Sequence, residues 1–306
     1  WLRQANDQAA FTVPPGRLVM ATDSHVVSPL FFPGGDIGCL SVHGTINDVA
    51  MSGAVPLYLA ASFILEEGFA LADLKRIVES MAAASREAGV PVVTGDTKVV
   101  EQGKGDGVFI TTTGVGALPA GRDPGGANAR PGDAVLVSGT LGDHGMAILA
   151  QRESLAFESQ IVSDSAALNG LVEALYAAVP AAAIHVLRDP TRGGLASTVN
   201  EIATQSGVGI ELDEVAIPVA AQVQAACELL GLDPLNIANE GKLVVVCAAD
   251  AADAALAALR THPLGAAAAR IGRVTADARC FVQLRTQLGG RRMVDWLAAE
   301  QLPRIC

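Results

Sequence analysis

Apolar residues in this chain of 306 recur with two periods, one of two residues and one near 3.6. Short, nearly unbroken apolar runs predict strands over 17–23 and 56–65. Helical spacing predicts helices over 36–51 and 71–88, the second with Leu74, Ile77, Val78 and Met81 on one face. Strands over 90–94 and 108–118 complete a mixed sheet. The densest Pro/Gly stretch, ALPAGRDPGGANARPGD over 117–133, then marks a domain boundary.

Beyond it the pattern predicts a strand over 134–138, the glycine-rich turn SGTLGDHG, and helices near 145–152, 165–178 and 193–207. Strands over 208–212, 243–248, 269–274 and 278–284 and a helix over 251–260 follow. Helices and strands mix without a βαβ rhythm, which favours two α+β domains over one doubly wound sheet. From Trp296 the chain runs out as WLAAEQLPRIC, where Pro303 blocks a helix.

Half of the residues are hydrophobic, enough for two cores and too many for a disordered chain. With 21 Lys and Arg against 32 Asp and Glu, the net charge is −11. That balance excludes an electrostatically driven nucleic-acid binder, but not phosphate ligands, because magnesium supplies compensating charge. The longest apolar stretch, 243–259, is broken by Asp250 and Asp253, so no membrane span is expected. The five cysteines show no zinc-site spacing, and no secretory leader is visible. A cytoplasmic protein with reduced thiols is expected. Because the chain starts at Trp1, a segment upstream of it is also expected.

Four aspartates sit among small residues where strands are expected to end: Asp23 in ATDSHVV, Asp48 in GTINDVAMSG, Asp96 in VTGDTKVV and Asp189 in LRDPTRGG. Each alone reads as a cap or turn former. Together they suit magnesium, which takes hard oxygen ligands and bridges carboxylates to nucleotide phosphates. There is no GxxxxGK[ST] loop. Thr191–Gly194 and Ser138–Asp143 are glycine-rich junctions opening helices, fit for an anion or merely for tight packing. Lys98, one of four lysines, is either a phosphate or acid/base group or an edge lysine. Glu240 in NIANEGKLVVV is either an acid/base group or a loop carboxylate paired with Lys242. His25, His43, His144 and His185 lack metal-ligand spacing and read as packing or hydrogen-bonding residues. The terminal Cys306 stands beside its own carboxylate, which raises the thiol pKa. It is either incidental or the head of a swinging arm.

DSHVVSPLFFPGGDIG, GTINDVAMSGAVPLYL, VTGDTKVV, LVSGTLGDHG, RDPTRGGLA, ANEGKL and the terminal PRIC together resemble the HypE family of hydrogenase maturation proteins. The resemblance runs in the same order over essentially the whole chain. More distantly the chain resembles the aminoimidazole ribonucleotide synthetase (PurM-like) superfamily, ATP users without a P-loop. The resemblance implies a two-domain α+β PurM-like fold. Residues 1–120 would form an ATP-binding and dimerisation domain, two copies of which close a β-barrel. Residues 131–302 would form an α/β sandwich domain and 303–306 a mobile tail. It implies a homodimer that binds ATP and Mg2+ and acts as a carbamoyl dehydratase. A carbamoyltransferase, HypF, would load Cys306. ATP-dependent dehydration would turn the thiocarboxamide into a thiocyanate, passed to a HypC–HypD complex as the cyanide ligand of [NiFe]-hydrogenase iron. Asp23, Asp48, Asp96 and Asp189 would then hold magnesium and ATP phosphates, assisted by Asn47 and Thr97. Lys98 and Glu240 would serve the dehydration. A glycine-rich HGSGG-like family segment, expected to close over the phosphates, is not among these residues. Two alternatives remain open: a small-molecule ligase or kinase of the same superfamily, and a non-catalytic maturation scaffold.

Overall fold

In the computed structural model, which describes residues 8–155, 160–296 and 304–305, the first sheet takes its strands from four stretches of the N-terminal part. They are β1 (Arg17–His25), β4 (Val55–Glu66), β5 (Val92–Val100) and β6 (Val108–Leu118), in the order β1-β6-β4-β5. Only β4 and β5 pair in parallel. Between β1 and β4 lie the short strands β2 (Phe31–Phe32) and β3 (Gly35–Asp36) and helix α1 (Ile37–Met51); helix α2 (Leu71–Ala88) precedes β5. α1 starts where the Asp36 carboxylate accepts from the N–H groups of Gly38 and Cys39. It crosses α2 so closely that a Cβ on Gly38 would lie 2.3 Å from the Ile77 carbonyl oxygen.

The pairing register decides which residues face α1. Asp23 pairs with Thr112, Thr112 with Ala61 and Ala61 with Gly95. Thr112 hydrogen-bonds the Thr45 hydroxyl and the Ser41 carbonyl of α1, so this row faces the helices. The next row, Ser24, Thr111, Ser62 and Asp96, therefore faces the opposite side. That side is open: Met20 is 74% and Leu18 51% exposed.

A second sheet of seven strands has the order β13-β12-β9-β11-β7-β10-β8. Its strands are β7 (Ala134–Val137), β8 (Ile184–Arg188), β9 (Gly209–Asp213), β10 (Val244–Cys247), β11 (Ala269–Thr275), β12 (Val282–Arg285) and β13 (Arg291–Met293). The helices of this part are α3 (Asp143–Arg152), α4 (Asn169–Ala178), α5 (Gly194–Ser206), α6 (Ala221–Leu230) and α7 (Ala252–Thr261). One buried cluster surrounds the α5 side of this sheet and another the α4 and α7 side. A third joins the two parts of the chain: Ile37, Leu40 and Ile46 of α1 belong with Met146 and Ile148 of α3, Val223 of α6 and Ile305.

The mixed α+β class and the first sheet follow the hydrophobic pattern. Strand β8, helix α6 and strand β13 lie where no element is predicted, and α4 begins at Asn169 rather than at 165. β5 runs to Val100 rather than stopping at 94, which places Asp96, Thr97 and Lys98 inside a strand. Of the expected tail, 303 and 306 lie outside the described residues. Among the described residues no helix is long and apolar enough to cross a membrane.

Candidate active site

Three of the predicted aspartates come together. Asp23 lies near the end of β1 facing α1, Asp48 lies toward the C-terminal end of α1, and Asp189 directly follows β8. Only Asp189 thus stands just past a strand as the pattern predicts. Burial pushes the Asp48 carboxyl up to about 7, reinforced by the charges of Asp189 and Asp23. Burial likewise pushes Asp189 up to about 6, with Asp23 contributing. Gly44 makes room here, because a Cβ would lie 2.9 Å from His25 Nε2 and 3.7 Å from Asp23 Oδ2. His25 is buried, and among the described residues neither ring nitrogen has a hydrogen-bond partner; its Nε2 lies 3.4 Å from Asp23 Oδ2.

Glu240 belongs to the same cluster. It is 3% exposed, and its Oε1 has no hydrogen-bond partner among the described residues. Burial raises its pKa well above the ordinary value, aided by Asp189, Asp164, Asp23 and Asp48. Pairing with Lys242, the bland alternative, does not occur: Lys242 Nζ donates to Asp164 at 2.9 Å and lies 3.9 Å from Asp143. Asp164 also accepts from the N–H groups of Glu240 and Gly241. It fixes the backbone that carries Glu240, and the sequence offers no motif that would have marked it.

Asn47 has a different task from the phosphate contact expected of it. Its amide donates to the carbonyls of Ala166 and Glu240 and accepts from the Leu168 N–H, all within the protein frame. It positions Glu240 and is spoken for. His144, read as a packing or hydrogen-bonding residue, is buried and hydrogen-bonded through both ring nitrogens.

Asp96 and Lys98 are not in this cluster. They point to the open face of the first sheet, where Lys98 Nζ lies 2.9 Å from Asp96 Oδ2. That hydrogen bond holds the Asp96 carboxyl below the usual range. Thr97 points to the other side, in register with Phe63. Four aspartates in one site of one chain is therefore not the arrangement. Cys306 lies outside the described residues.

The remaining carboxylates suit a divalent cation in one respect: their mutual repulsion at Asp48 and Asp189 is what a cation relieves. Among the described residues no three His, Cys, Asp or Glu side chains converge on one metal position. Beside Asp189 opens a cavity of about 660 Å3 lined by Arg188, Thr191, Arg192, Gly193 and Trp296. It adjoins the start of α5, where Gly193 adopts φ 75° and no side chain caps the helix. Arg188 is paired with Glu201, which also lines the cavity, so the cation that the TRGG junction itself adds to this helix N-terminus is Arg192.

The chain matches known proteins along its length. Residues 5–118 match the N-terminal domain of AIR synthase related proteins and residues 130–285 their C-terminal domain. Carbamoyl dehydratase HypE of Cupriavidus necator is 74% identical over 307 residues, covering 100% of this chain and 87% of that protein. A crystal structure of the hydrogenase maturation protein HypE in complex with ATP superposes with a TM-score of 0.94 at 53% identity, covering 98% of this chain and 90% of the other. A HypE–HypF complex gives a TM-score of 0.89 at 52% identity, covering 93% and 92%. With the two-domain architecture and the buried glutamate of NEGK in place, the chain belongs to the HypE family of hydrogenase maturation proteins, carbamoyl dehydratases on the PurM-like fold.

Proposed function

We propose that this protein uses ATP to dehydrate a carbamoyl group carried on its own Cys306, making the thiocyanate that supplies the cyanide ligand of [NiFe]-hydrogenase iron. The observation that carries the reading is Glu240: a buried carboxyl with one oxygen unpartnered among the described residues, held at high proton affinity among aspartates. The thiocarboxamide oxygen attacks the γ-phosphorus of ATP and ADP leaves, turning a poor leaving group into phosphate. Loss of two N–H protons and cleavage of the C–O bond then give the nitrile and phosphate. Glu240, in its carboxylate form, takes a proton from the amide nitrogen. Asn47 and Asp164 hold its backbone during the transfer.

Asp23, Asp48 and Asp189 would hold magnesium, which when bound neutralises charge on the phosphates. HypF is the expected source of the carbamoyl group, in keeping with the HypE–HypF complex among the similar structures, and a HypC–HypD complex is the expected acceptor. The exposed apolar residues on the open face of the first sheet support a homodimer closed through that face. Asp96 and Lys98 lie on that face, and Lys98 is the candidate for polarising the carbamoyl oxygen at a site shared with the neighbouring subunit, while Thr97 lies on the opposite side of the sheet.

Intact-protein mass spectrometry of the full chain, loaded by the carbamoyl donor system, tests the reading. Mg-ATP should remove the mass of one water from the loaded tail. Glu240→Gln should keep the carbamoyl increment and slow the water loss about 100-fold to 10,000-fold. A correctly loaded tail that never loses water would overturn it.

A further inference from the structure

Arg304 and Ile305 are fastened to the body by contacts that the chemistry above does not use. Ile305 forms an antiparallel bridge with Val27, and the Ser28 N–H donates to the Arg304 carbonyl at 3.1 Å. Arg152, the last residue of α3, spans the bridge: its Nε donates to the Ser28 carbonyl at 2.9 Å and its Nη2 to the Arg304 carbonyl at 2.8 Å. The Arg304 guanidinium pairs with Asp106 in the connection between β5 and β6. One peptide further on, the Ile305 carbonyl oxygen is hydrogen-bonded to His144 Nε2.

His144 is set as a donor to that carbonyl. A carbonyl oxygen only accepts, so Nε2 carries the proton. Ser163 Oγ already accepts from the Ser165 N–H, and its own O–H is free to donate to His144 Nδ1 at 2.8 Å. Burial keeps the ring neutral, holding its pKa below the ordinary value. The ring of Phe32 stands edge-on to the imidazole, centroids 5.5 Å apart, and completes the wall.

The same backbone frame holds Glu240. At the start of α3 the Gly142 N–H donates to Asn239 Oδ1 at 2.8 Å and the Gly145 N–H to the Ala238 carbonyl at 3.1 Å. The charge of Asp164, which fixes the Glu240 backbone, also acts on His144. The tail grip and the candidate base are thus built on two bonded segments, 142–146 and 238–242.

We infer that His144 and Arg152 are positioning residues that grip the last two peptide carbonyls of the tail and dock it on the frame that also carries Glu240. This rests on the reading that Cys306 carries the reacting group, but its geometry is testable without any chemistry. The Arg304–Ile305 bond is a trypsin site whose carbonyl is engaged by Ser28 and Arg152. In the native full-length protein without nucleotide, release of the Ile-Cys dipeptide, read by intact mass, should be slow. Arg152→Ala and His144→Ala should each speed it roughly threefold to tenfold, the factor one hydrogen bond confers. His144→Gln, which keeps an N–H donor, should restore part of the protection. Among the described residues the Arg152 side chain bonds only Ser28 and Arg304, so Arg152→Ala should leave a cooperative unfolding transition with a midpoint lowered only slightly, and it reads docking even if His144→Ala loosens the fold. Glu240→Gln should leave release unchanged, which separates tail docking from dehydration. Equal release rates in the parent, Arg152→Ala and His144→Ala would overturn the inference whether or not the loaded tail is dehydrated.

Discussion

Burial and mutual repulsion push Asp48 up to about 7 and Asp189 up to about 6 from an ordinary value of 3.8. Between these limits the folded protein binds more protons than the unfolded chain, so stability without magnesium falls as pH rises from about 4 to about 7. Asp48→Asn removes its own share of that fall, which exceeds the share of Asp189. At about pH 8 and without Mg2+ the variant should be more stable than the parent by about 2 kcal/mol or more, each pKa unit counting about 1.4 kcal/mol. Urea unfolding across this range measures it. Added Mg2+ should raise the parent's midpoint more at about pH 8 than at about pH 5, because both carboxyls are ionised only at the higher value. In Asp48→Asn the magnesium effect should shrink at both.

The residues that carry charge in the cluster are placed by elements that pack with little tolerance. A methyl group on Gly38 would run into the Ile77 backbone, so Gly38→Ala must part α1 from α2. The expected cost is about 1–3 kcal/mol in chemical denaturation, and dehydration should fall with it because α1 carries Asn47 and Asp48. This is also the scale at which the sequence was readable and then ceased to be. Asp23, Asp48, Asp189 and Glu240 stand out because each lies among small or apolar residues. Their convergence depends on β8, a five-residue run after an alanine tract that carries no strand period of its own. α6 buries only Val223, Ala226 and Cys227, too faint a stripe in an alanine-rich chain. β13 has three exposed residues and exists through its pairing with β12. Asp96 and Lys98 are separated from the cluster by strand parity, which comes from the register with β4 and not from local pattern. The roles of Asn47 and Asp164 lie in long-range backbone contacts that spacing does not encode.

At the scale of the whole molecule, the open sheet face is where the proposed dimer would close. Met20→Asp puts a charge on a side chain that is 74% exposed here and covered in the proposed dimer. It should yield monomers in sedimentation while leaving each subunit folded. If Lys98 serves the neighbouring subunit, mixing inactive Lys98→Ala and Glu240→Gln proteins should restore about a quarter of parental dehydration. Half of the random dimers are then mixed, with one intact site in each. Sites confined to one subunit would restore nothing. Ile305 adds a consequence of another kind. It is 6% exposed and belongs to the buried cluster shared by both parts of the chain. If the terminus leaves to be loaded, as proposed, an aliphatic stopper would leave the seam between the lobes, forfeiting about 1.5–3 kcal/mol of apolar burial. On that reading delivery and cohesion would be tied, and the protein would be at its firmest with the loaded end docked.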